Sequence, residues 1–385
     1  MKKIITGCRI VSGGRITDGL DIVTENGKIT ALVPRGSESG ETENLNGLYI
    51  APGFIDIHCH GGDGAEFIDG TPEAVKKACA VHYKHGTRVI YPTISAADTA
   101  AVINALEAVK TTAPDCDMII PGVHLEGPYL ALEMCGGQDP NSVREPDEKE
   151  YKMLYERFGS LIKRWTYAPE CDGGAFLEYL TKNGIVPSMG HTAAKYGDVK
   201  PAFDGGCRLV THLYSCTSTV TRSGGFRSLG VIESAFLLKD MFVEAIADGR
   251  HLPHELLKMI VDIKGADKVC LITDALRPGG FGKEYEGKIY SDCKVPFVIE
   301  DGVAKLIDRS AFAGSIATAD ILLKTAVEAG IPLADGVKML TETPANAMHL
   351  AGFGKIAPGY NAVFTVFDEK LNAVEYAFSA ELRAQ

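Results

Sequence analysis

PGFIDIHCHGG, at residues 52–62, joins a short apolar run to two histidines that are one residue apart. In a β-strand, alternate side chains point to the same face, so His58 and His60 project together while Cys59 points the opposite way. Two imidazoles at the end of a strand form a pair of metal ligands. The alternative is a surface pair of histidines at the start of a loop. The rest of the chain decides between these two interpretations.

The composition excludes several classes of protein. The 385 residues carry a formal net charge of −11, whereas a general nucleic-acid binder needs a basic surface to displace counterions. No run approaches the roughly 18 apolar residues of a membrane helix. The ten cysteines form no CxxC pair, and the N-terminus lacks the apolar core of a signal peptide. We therefore expect a cytoplasmic protein with reduced thiols, bound neither to nucleic acid nor to a membrane.

The two ends of the chain resemble each other in their residue pattern. Residues 1–51 alternate apolar and polar side chains in short runs that are separated by turn signals. Among them, the pair Asn26-Gly27 supplies the positive φ angles of a type I′ turn and predicts a hairpin. Residues 352–385 begin with the same pattern. We expect the two ends to form one small β-domain beside a larger domain at residues 52–351.

The middle of the chain alternates buried strands with helices. The apolar strand candidates are GFIDIH, TRVIYPTI, MIIPGVHLEG, RWTYAPE, GIVPSMGH, RLVTHLY, MFVEAIADG and KVCLITDA. Helical stretches lie between them, for example at residues 72–84, 98–110, 147–158 and 253–263. Eight strands alternating with helices predict an α/β protein with a parallel (β/α)8 barrel, whose active site lies at the C-terminal ends of the strands.

Polar residues gather at those strand ends. An unpaired charge is costly at a buried strand end, so core packing accounts for one or two such residues but not for a whole set. The ends of six of the predicted strands carry His58, His60, His124, Glu126, His191, His212, Asp248, His251 and Asp274.

Three of these residues suit a metal ion. Glu126, His191 and His212 make a His/His/carboxylate set that fits a divalent ion with an open water position. Taken singly, Glu126 could pair with a neighbouring arginine, and each histidine could be satisfied in the core. A bound metal polarises a carbonyl oxygen and lowers the pKa of its water to about 7. Asp274 can take the proton from that water and pass it to a leaving amine, which predicts metal-assisted hydrolysis of an amide or related bond.

Eight short motifs resemble, in their order, those of the amidohydrolase superfamily and, within it, those of the N-acetylglucosamine-6-phosphate deacetylases. They are PGFIDIHCHG, VHLEGP, MGHT, THLY, ADGRH, ITDA, AGS and TETPA, and the resemblance extends over residues 50–346. It implies a (β/α)8 TIM-like barrel with a small β-sandwich formed by both termini, and a homodimer. It also implies deacetylation of N-acetylglucosamine 6-phosphate to glucosamine 6-phosphate and acetate, with Asp274 as general base and acid on a metal-bound water.

The resemblance assigns roles to the metal candidates. Members of the family that carry HxH on the first strand hold a second metal, so intact His58 and His60 imply a site for one or two divalent ions. Glu126 is then the bridging ligand. Zinc is the expected ion, with iron, manganese and cobalt as alternatives. The metal ligands implied by the resemblance are Glu126, His191, His212, His58 and His60.

The resemblance also implies a set of substrate contacts. His251 matches the histidine that contacts the sugar and helps to polarise the acetyl group. Arg227 matches the arginine that binds phosphate, often across a dimer, although Arg222 is a rival because the loop at residues 217–230 is longer than in better-known members. The other contacts implied in this way are Gly137, Gln138, Ser215, Cys216, Ala313, Gly314 and Ser315.

Two departures from the family pattern concern the substrate. Gln138 stands where many members have a histidine, and Ser215-Cys216 replaces an asparagine-containing sequence after THLY. The alternative function is therefore a related amidohydrolase that acts on N-acetylgalactosamine 6-phosphate or on an N-acyl amino acid. A further alternative is a non-enzymatic scaffold of the same fold, which the intact metal candidates and Asp274 argue against.

Overall fold

Eight parallel strands follow one another around a barrel in the order of the chain. The computed structural model describes residues 2–291 and 293–374 of the protein. The barrel strands are Phe54–Cys59, Thr87–Ile94, Val123–Glu126, Ile162–Tyr167, Val186–Met189, Leu209–Val210, Phe242–Ile246 and Val269–Ile272. Each coincides with one of the apolar segments predicted from the sequence, so the predicted barrel is confirmed.

The first and last barrel strands meet through specific hydrogen bonds. The backbone N–H of Asp274 donates to the carbonyl oxygen of His58 at 2.9 Å, and Thr273 Oγ1 donates to Asp56 Oδ2 at 2.5 Å. These bonds nearly close the barrel. They also bring two predicted site residues, from opposite ends of the barrel sequence, to the same strand junction.

A helix follows every barrel strand. Thr71 and Asp98 cap two of these helices by accepting hydrogen bonds from the backbone N–H groups of Ala74 and Ala101. The four helices predicted from the sequence are confirmed, with ends that differ by at most two residues. Among the described residues, none of the helices is both long and apolar enough to cross a membrane. The barrel helices are Pro72–Lys84, Thr99–Thr112, Glu148–Phe158, Ala175–Lys182, Tyr196–Asp204, Val231–Leu237, His254–Lys264 and Ala319–Glu328.

Apolar side chains fill the N-terminal end of the barrel. Two short helices, Leu333–Met339 and Glu342–Ala347, follow the last barrel helix. The backbone N–H of Ile55 donates to the carbonyl oxygen of Leu340 at 2.8 Å. Met348 is buried in one apolar cluster with Ile55 and other strand residues. Because this end is filled with hydrocarbon, a polar site belongs at the opposite, C-terminal rim.

Strands from both termini build two small sheets beside the barrel. Asn26 and Gly27, with φ angles of 49° and 72°, form the predicted hairpin turn. Ile50 and Phe364 are buried in the apolar cluster of this β-domain. The β-domain formed by both termini is thus confirmed, whereas its boundaries stay a prediction and residues 375–385 lie outside the described part. One sheet contains Lys28–Pro34, Leu20–Glu25, Lys2–Thr6 and Glu41–Asn44, and the other Ala373–Val374, Phe364–Phe367, Tyr49–Pro52, Arg9–Ser12 and Arg15–Thr17.

A four-stranded antiparallel sheet, which the sequence analysis did not predict, lies between the last barrel strand and its helix. We call it the insert sheet. Asp301 and Gly302, with φ angles of 57° and 72°, form its central turn, and this Asp-Gly pair is a hairpin signal visible in the sequence. Its last strand brings Ala313 and Gly314 to the mouth of the barrel. The strands are Ile289–Tyr290, Phe297–Glu300, Val303–Leu306 and Phe312–Gly314.

Candidate active site and metal centre

A cavity of about 280 Å³ opens at the C-terminal rim of the barrel. Side chains from the ends of the barrel strands form its floor, and the insert sheet forms part of its wall. It gathers most of the residues singled out in the sequence. The lining residues include His60, Glu126, Gly137, Gln138, His191, His212, Ser215, Cys216, His251, Asp274, Ala313 and Gly314.

The first donor set consists of Glu126, His191 and His212. Glu126 Oε1 lies 3.1 Å from His191 Nε2 and 2.9 Å from His212 Nε2, and the two nitrogens are 3.2 Å apart. The Nδ1 atoms of the two rings lie 2.9 Å and 3.0 Å from the carbonyl oxygens of Met134 and Ser215. Because a carbonyl only accepts, each Nδ1 carries the proton that it donates, and each Nε2 is left free to bind a metal.

The second donor set lies beside the first and consists of His58, His60 and Asp274. The Nε2 atoms of both histidines lie 3.3 Å from Asp274 Oδ1. Glu126 belongs to both sets, because its Oε2 lies 3.0 Å from His60 Nε2 while its Oε1 faces the first set. His58 Nε2 also lies 3.4 Å from Glu126 Oε1. The two sets are therefore contiguous and share one carboxylate.

The electrostatics of the site favour a cation. Burial alone would lower the pKa of His58, but the carboxylates of Glu126, Asp274 and Glu244 outweigh burial and raise it to about 10. Burial is likewise outweighed at His60, where Asp274 and Glu126 raise the pKa to about 9. Burial would raise the pKa of Glu126, yet the neighbouring histidines hold it well below its usual range. Positive charge is thus stabilised among buried carboxylates, and the residues present fit a divalent ion with nitrogen and oxygen ligands.

Three residues of the two donor sets have left-handed backbone conformations. The φ angles of His191, His212 and Asp274 are 48°, 28° and 47°. Non-glycine residues rarely adopt such angles, which cost of order 1–3 kcal/mol each and cluster at functional sites.

Burial raises the pKa of Asp274, but the charges of His58 and His60 outweigh this effect and lower it. Asp274 is thus an ionised carboxylate that can accept a proton.

Gln138 contacts a metal candidate in addition to lining the cavity. Its Nε2 donates to Glu126 Oε2 at 2.6 Å, and its Oε1 accepts from the backbone N–H of Ala96 at 2.8 Å. Both ends of the amide are therefore engaged. The family resemblance implies that Gln138 contacts substrate, whereas its bond to Glu126 was not predicted because nothing in the sequence connects the two residues.

His251 lies at the insert-sheet side of the cavity. Its Nδ1 is 2.8 Å from Asp248 Oδ2, and its ring meets the Phe312 ring edge-on with centroids 4.9 Å apart. Phe312 was missed in the sequence because the insert sheet was not predicted. Ser95, which follows the second barrel strand and bonds His60 Nδ1 at 2.9 Å, was also missed. Its position at a strand end was a signal that could have found it.

Two predicted substrate residues lie outside the cavity lining. Ser315 is buried, and its Oγ accepts from the backbone N–H of Ala317 at 2.8 Å while its own N–H donates to the carbonyl oxygen of Asp274 at 3.0 Å. Arg227 lies on an exposed hairpin, opposite Arg222. This hairpin, Thr221–Ser223 with Phe226–Ser228, is the longer loop noted in the sequence, and its strands pair with each other rather than with the barrel.

Comparison with known proteins relates this geometry to a family. The sequence matches the amidohydrolase family over residues 49–382. A Haemophilus influenzae protein, N-acetylglucosamine-6-phosphate deacetylase, is 30% identical over 386 residues, covering 96% of this chain and 99% of that protein. A Shewanella protein, N-acetylgalactosamine-6-phosphate deacetylase, is 28% identical over 390 residues, covering 99% of this chain and 96% of that protein. The crystal structure of N-acetyl-D-glucosamine-6-phosphate deacetylase from Mycobacterium smegmatis matches with a TM-score of 0.87 at 26% identity, covering 97% of each chain. The chain therefore belongs to the amidohydrolase family.

Proposed function

We propose that this chain is a metal-dependent deacetylase that hydrolyses N-acetylglucosamine 6-phosphate to glucosamine 6-phosphate and acetate. The observation that carries the proposal is the pair of donor sets that share Glu126, the second of which contains the ionised Asp274. Relatives of that name, similar over nearly the whole chain, support the choice of substrate. The first donor set would hold one ion and the second set, with Glu126 shared, a second ion.

Asp274 moves the protons of the proposed reaction. A divalent ion at the donor sets, when bound, polarises the acetyl carbonyl and makes water more acidic. The carboxylate of Asp274 accepts a proton from the attacking water as the new carbon–oxygen bond forms. It then donates that proton to the amine nitrogen as the carbon–nitrogen bond breaks, which yields acetate and the free amino sugar. Its place between the two histidines of the second set keeps the carboxylate ionised before the reaction.

His251 orients the acetylated sugar in this proposal. Asp248 accepts a hydrogen bond from Nδ1 of the ring, which leaves Nε2 as the atom available to substrate. The ring lines the cavity together with Ser215, Cys216 and Gly314, so the sugar would lie between the rim loops and the insert sheet. Zinc is the ion that we propose, because it accepts the histidine and carboxylate ligands present.

The phosphate and the quaternary structure form a linked proposal. Arg227, with Arg222 as its rival, would bind the phosphate of a substrate held in the neighbouring subunit of a homodimer. The exposed hairpin supports this, because Phe226 beside Arg227 leaves 82% of its surface exposed and is suited to burial against a second copy. We also propose a cytoplasmic location, which the ten free cysteines support.

An acetate-release screen of the metal-loaded protein tests the proposed function. It compares N-acetylglucosamine 6-phosphate with its galactosamine epimer, with unphosphorylated N-acetylglucosamine and with several N-acyl amino acids. We expect the highest kcat/KM for N-acetylglucosamine 6-phosphate. The Shewanella relative makes the galactosamine epimer the second candidate, and a higher kcat/KM for that epimer would transfer the assignment to it. Metal analysis of the same sample, with reconstitution by zinc, iron, manganese and cobalt, identifies the ion.

A further inference from the structure

A fully buried ion pair crosses the interior of the barrel beneath the donor sets. Arg164 on the fourth barrel strand donates from Nη1 to Oε1 of Glu244 on the seventh, and neither side chain has any exposed surface. The guanidinium also donates to Ser188 Oγ at 3.0 Å, to Thr211 Oγ1 at 2.9 Å and to the carbonyl oxygen of Ile57 at 3.1 Å. Each nitrogen of the guanidinium therefore has at least one hydrogen-bond acceptor within the barrel.

Stability alone is a poor reason for such a pair. Moving two charges out of water costs several kcal/mol per ion, and well-packed hydrophobic residues often replace a buried pair without loss of stability. The apolar end of the barrel shows that this chain can fill the interior with hydrocarbon. In the sequence, Glu244 is the one charged residue inside the apolar run FVEAI, but the sequence does not indicate which residues it contacts.

The second oxygen of Glu244 contacts both donor sets. Glu244 Oε2 lies 3.1 Å from Nδ1 of His58, and it accepts the backbone N–H of His212 at 3.1 Å. Glu244 thus contacts the His58 ring in the second donor set and the backbone of His212 in the first. The φ angle of His212 is 28°. Arg164 occupies the other oxygen and keeps Oε2 turned towards these two donors.

We propose that Glu244, held in place by Arg164, is a positioning residue for the metal centre. It keeps the proton of His58 on Nδ1, so that Nε2 carries the free electron pair and faces His60 and Asp274. A histidine with its proton on Nε2 cannot bind an ion through that atom. Mutation of a carboxylate that orients a ligating histidine in this way typically lowers metal affinity 10–100-fold. The inference rests on the proposed metal-dependent function but concerns residues that do not touch substrate.

The change Glu244→Gln tests the role of the second carboxylate oxygen. A glutamine has the same size but only one acceptor oxygen. If that oxygen faced the guanidinium, the amide N–H2 would meet the two N–H groups of His58 and His212. In the opposite orientation the N–H2 would meet Arg164. The change Glu244→Gln therefore removes an acceptor that at least one of its three partners needs.

Metal binding tests the proposal without relying on turnover. Metal-free wild type, Glu244→Gln and the double variant Arg164→Met/Glu244→Leu are titrated with Zn²⁺ against a chelator, and the metal-free proteins are unfolded thermally. The double variant removes both charges together, so no buried charge is left unpaired. Glu107→Gln, which removes a carboxylate from an exposed ion pair with Arg157, is the matched control.

The expected result is specific to one ion. Wild type and Glu107→Gln should bind two Zn²⁺ ions, whereas both Glu244 variants should bind one of the two about 10–100-fold more weakly. The double variant should unfold, when metal-free, at nearly the wild-type temperature. His58→Asn should weaken binding of the same ion, and adding Glu244→Gln to it should have little further effect on that ion, because Glu244 reaches the second donor set through His58.

Other outcomes would overturn the inference. Unchanged affinity for both ions in the Glu244 variants would show that the pair does not position the ligands, and so would additive effects of His58→Asn and Glu244→Gln. If the wild-type protein binds a single ion and Glu244→Gln does not change its affinity, the pair likewise does not position the ligands. A wild type that binds two ions with the expected Glu244 effect but releases no acetate would refute the proposed function and leave this inference standing.

Discussion

Gln138 donates a hydrogen bond from its amide nitrogen to Oε2 of Glu126, at a distance of 2.6 Å. The bond from the backbone N–H of Ala96 fixes the orientation of the amide, because it occupies Oε1. Gln138 therefore presents a donor to the carboxylate that both donor sets share. This is a different role from the substrate contact that the family resemblance implies.

We expect Gln138→Leu to weaken metal binding about 10-fold or more, because the change removes the donor that orients Glu126. Competition with a chelator measures the affinity, and steady-state kinetics measures KM. Asn141→Ala on the same loop is the control, since its exposed side chain bonds Asp139 rather than the site. An increase in KM with unaltered metal affinity would return Gln138 to the role of substrate contact.

Asp274→Asn should reduce kcat by about 100- to 10,000-fold, because proton transfer depends on the carboxylate. The fold should persist, since asparagine tolerates the φ angle of 47° at this position. Acetate release gives kcat, and equilibrium binding of N-acetylglucosamine 6-phosphate to the variant shows whether substrate affinity is kept. Turnover close to that of wild type would remove Asp274 from the mechanism.

The double variant His58→Asn/His60→Asn should lose one ion and keep the other. Glu126, His191 and His212 form a complete donor set without the HxH pair, and we expect hydrolysis to continue with a single ion. Metal analysis after dialysis, together with acetate release, checks both expectations. Loss of all metal would make the HxH pair the primary ligands.

Arg227→Ala should raise KM for N-acetylglucosamine 6-phosphate but not for unphosphorylated N-acetylglucosamine, because only the former needs a guanidinium partner. Arg222→Ala, at the paired position of the same hairpin, is the matched variant and separates the two candidates. Light scattering of both variants reports whether the dimer is intact. Equal effects of Arg227→Ala on the two sugars would reject the phosphate role.

Acid should destabilise the metal-free protein through His82. Burial lowers the pKa of this histidine to about 4, and its Nδ1 has no partner among the described residues while Nε2 bonds the carbonyl oxygen of Gly61 at 2.8 Å. The unfolded chain binds the proton below about pH 6.5, whereas the folded chain binds it only below about pH 4. Stability is thus kept above pH 6.5 and falls as the pH drops towards 4, by about 3 kcal/mol for this group.

Denaturant unfolding of the metal-free protein at several pH values between 7 and 4 measures this effect as the difference between wild type and His82→Gln. Glutamine does not titrate and can still donate to Gly61. The variant should therefore lose less stability than wild type over this window. Parallel curves for the two proteins would show that His82 does not contribute to the acid sensitivity.

Much of the fold was predictable because its signals are local. Each barrel strand is a short apolar run, such as GFIDIH, and its polar residues follow at the end that becomes the rim. Glu126, His191 and His212 could be grouped for that reason, although their distances could not be known. The four predicted helices begin within one residue of their predicted positions, and the side chain of Asp98 caps one of them.

The parts that could not be predicted depend on contacts between distant segments. The bond from Gln138 to Glu126 and the reach of Glu244 across the barrel depend on the folded positions of separate strands and loops. The exposed position of Arg227 on its hairpin could not be known from the sequence either, and its role at the phosphate stays a prediction. The insert sheet was missed because its strands are short, even though Asp301-Gly302 marked one turn.

The left-handed conformations at the rim lower the stability of the fold at the residues that the active site needs. Glycine or asparagine at positions 191 and 212 would relieve backbone strain, and the metal-free barrel would gain stability as its ligands disappeared. A laboratory selection that rewards only heat tolerance would therefore move these positions towards an inert scaffold. Selection for a hardier enzyme must score acetate release in every round and place its stabilising changes far from the rim, in the terminal sheets or on the outer helices.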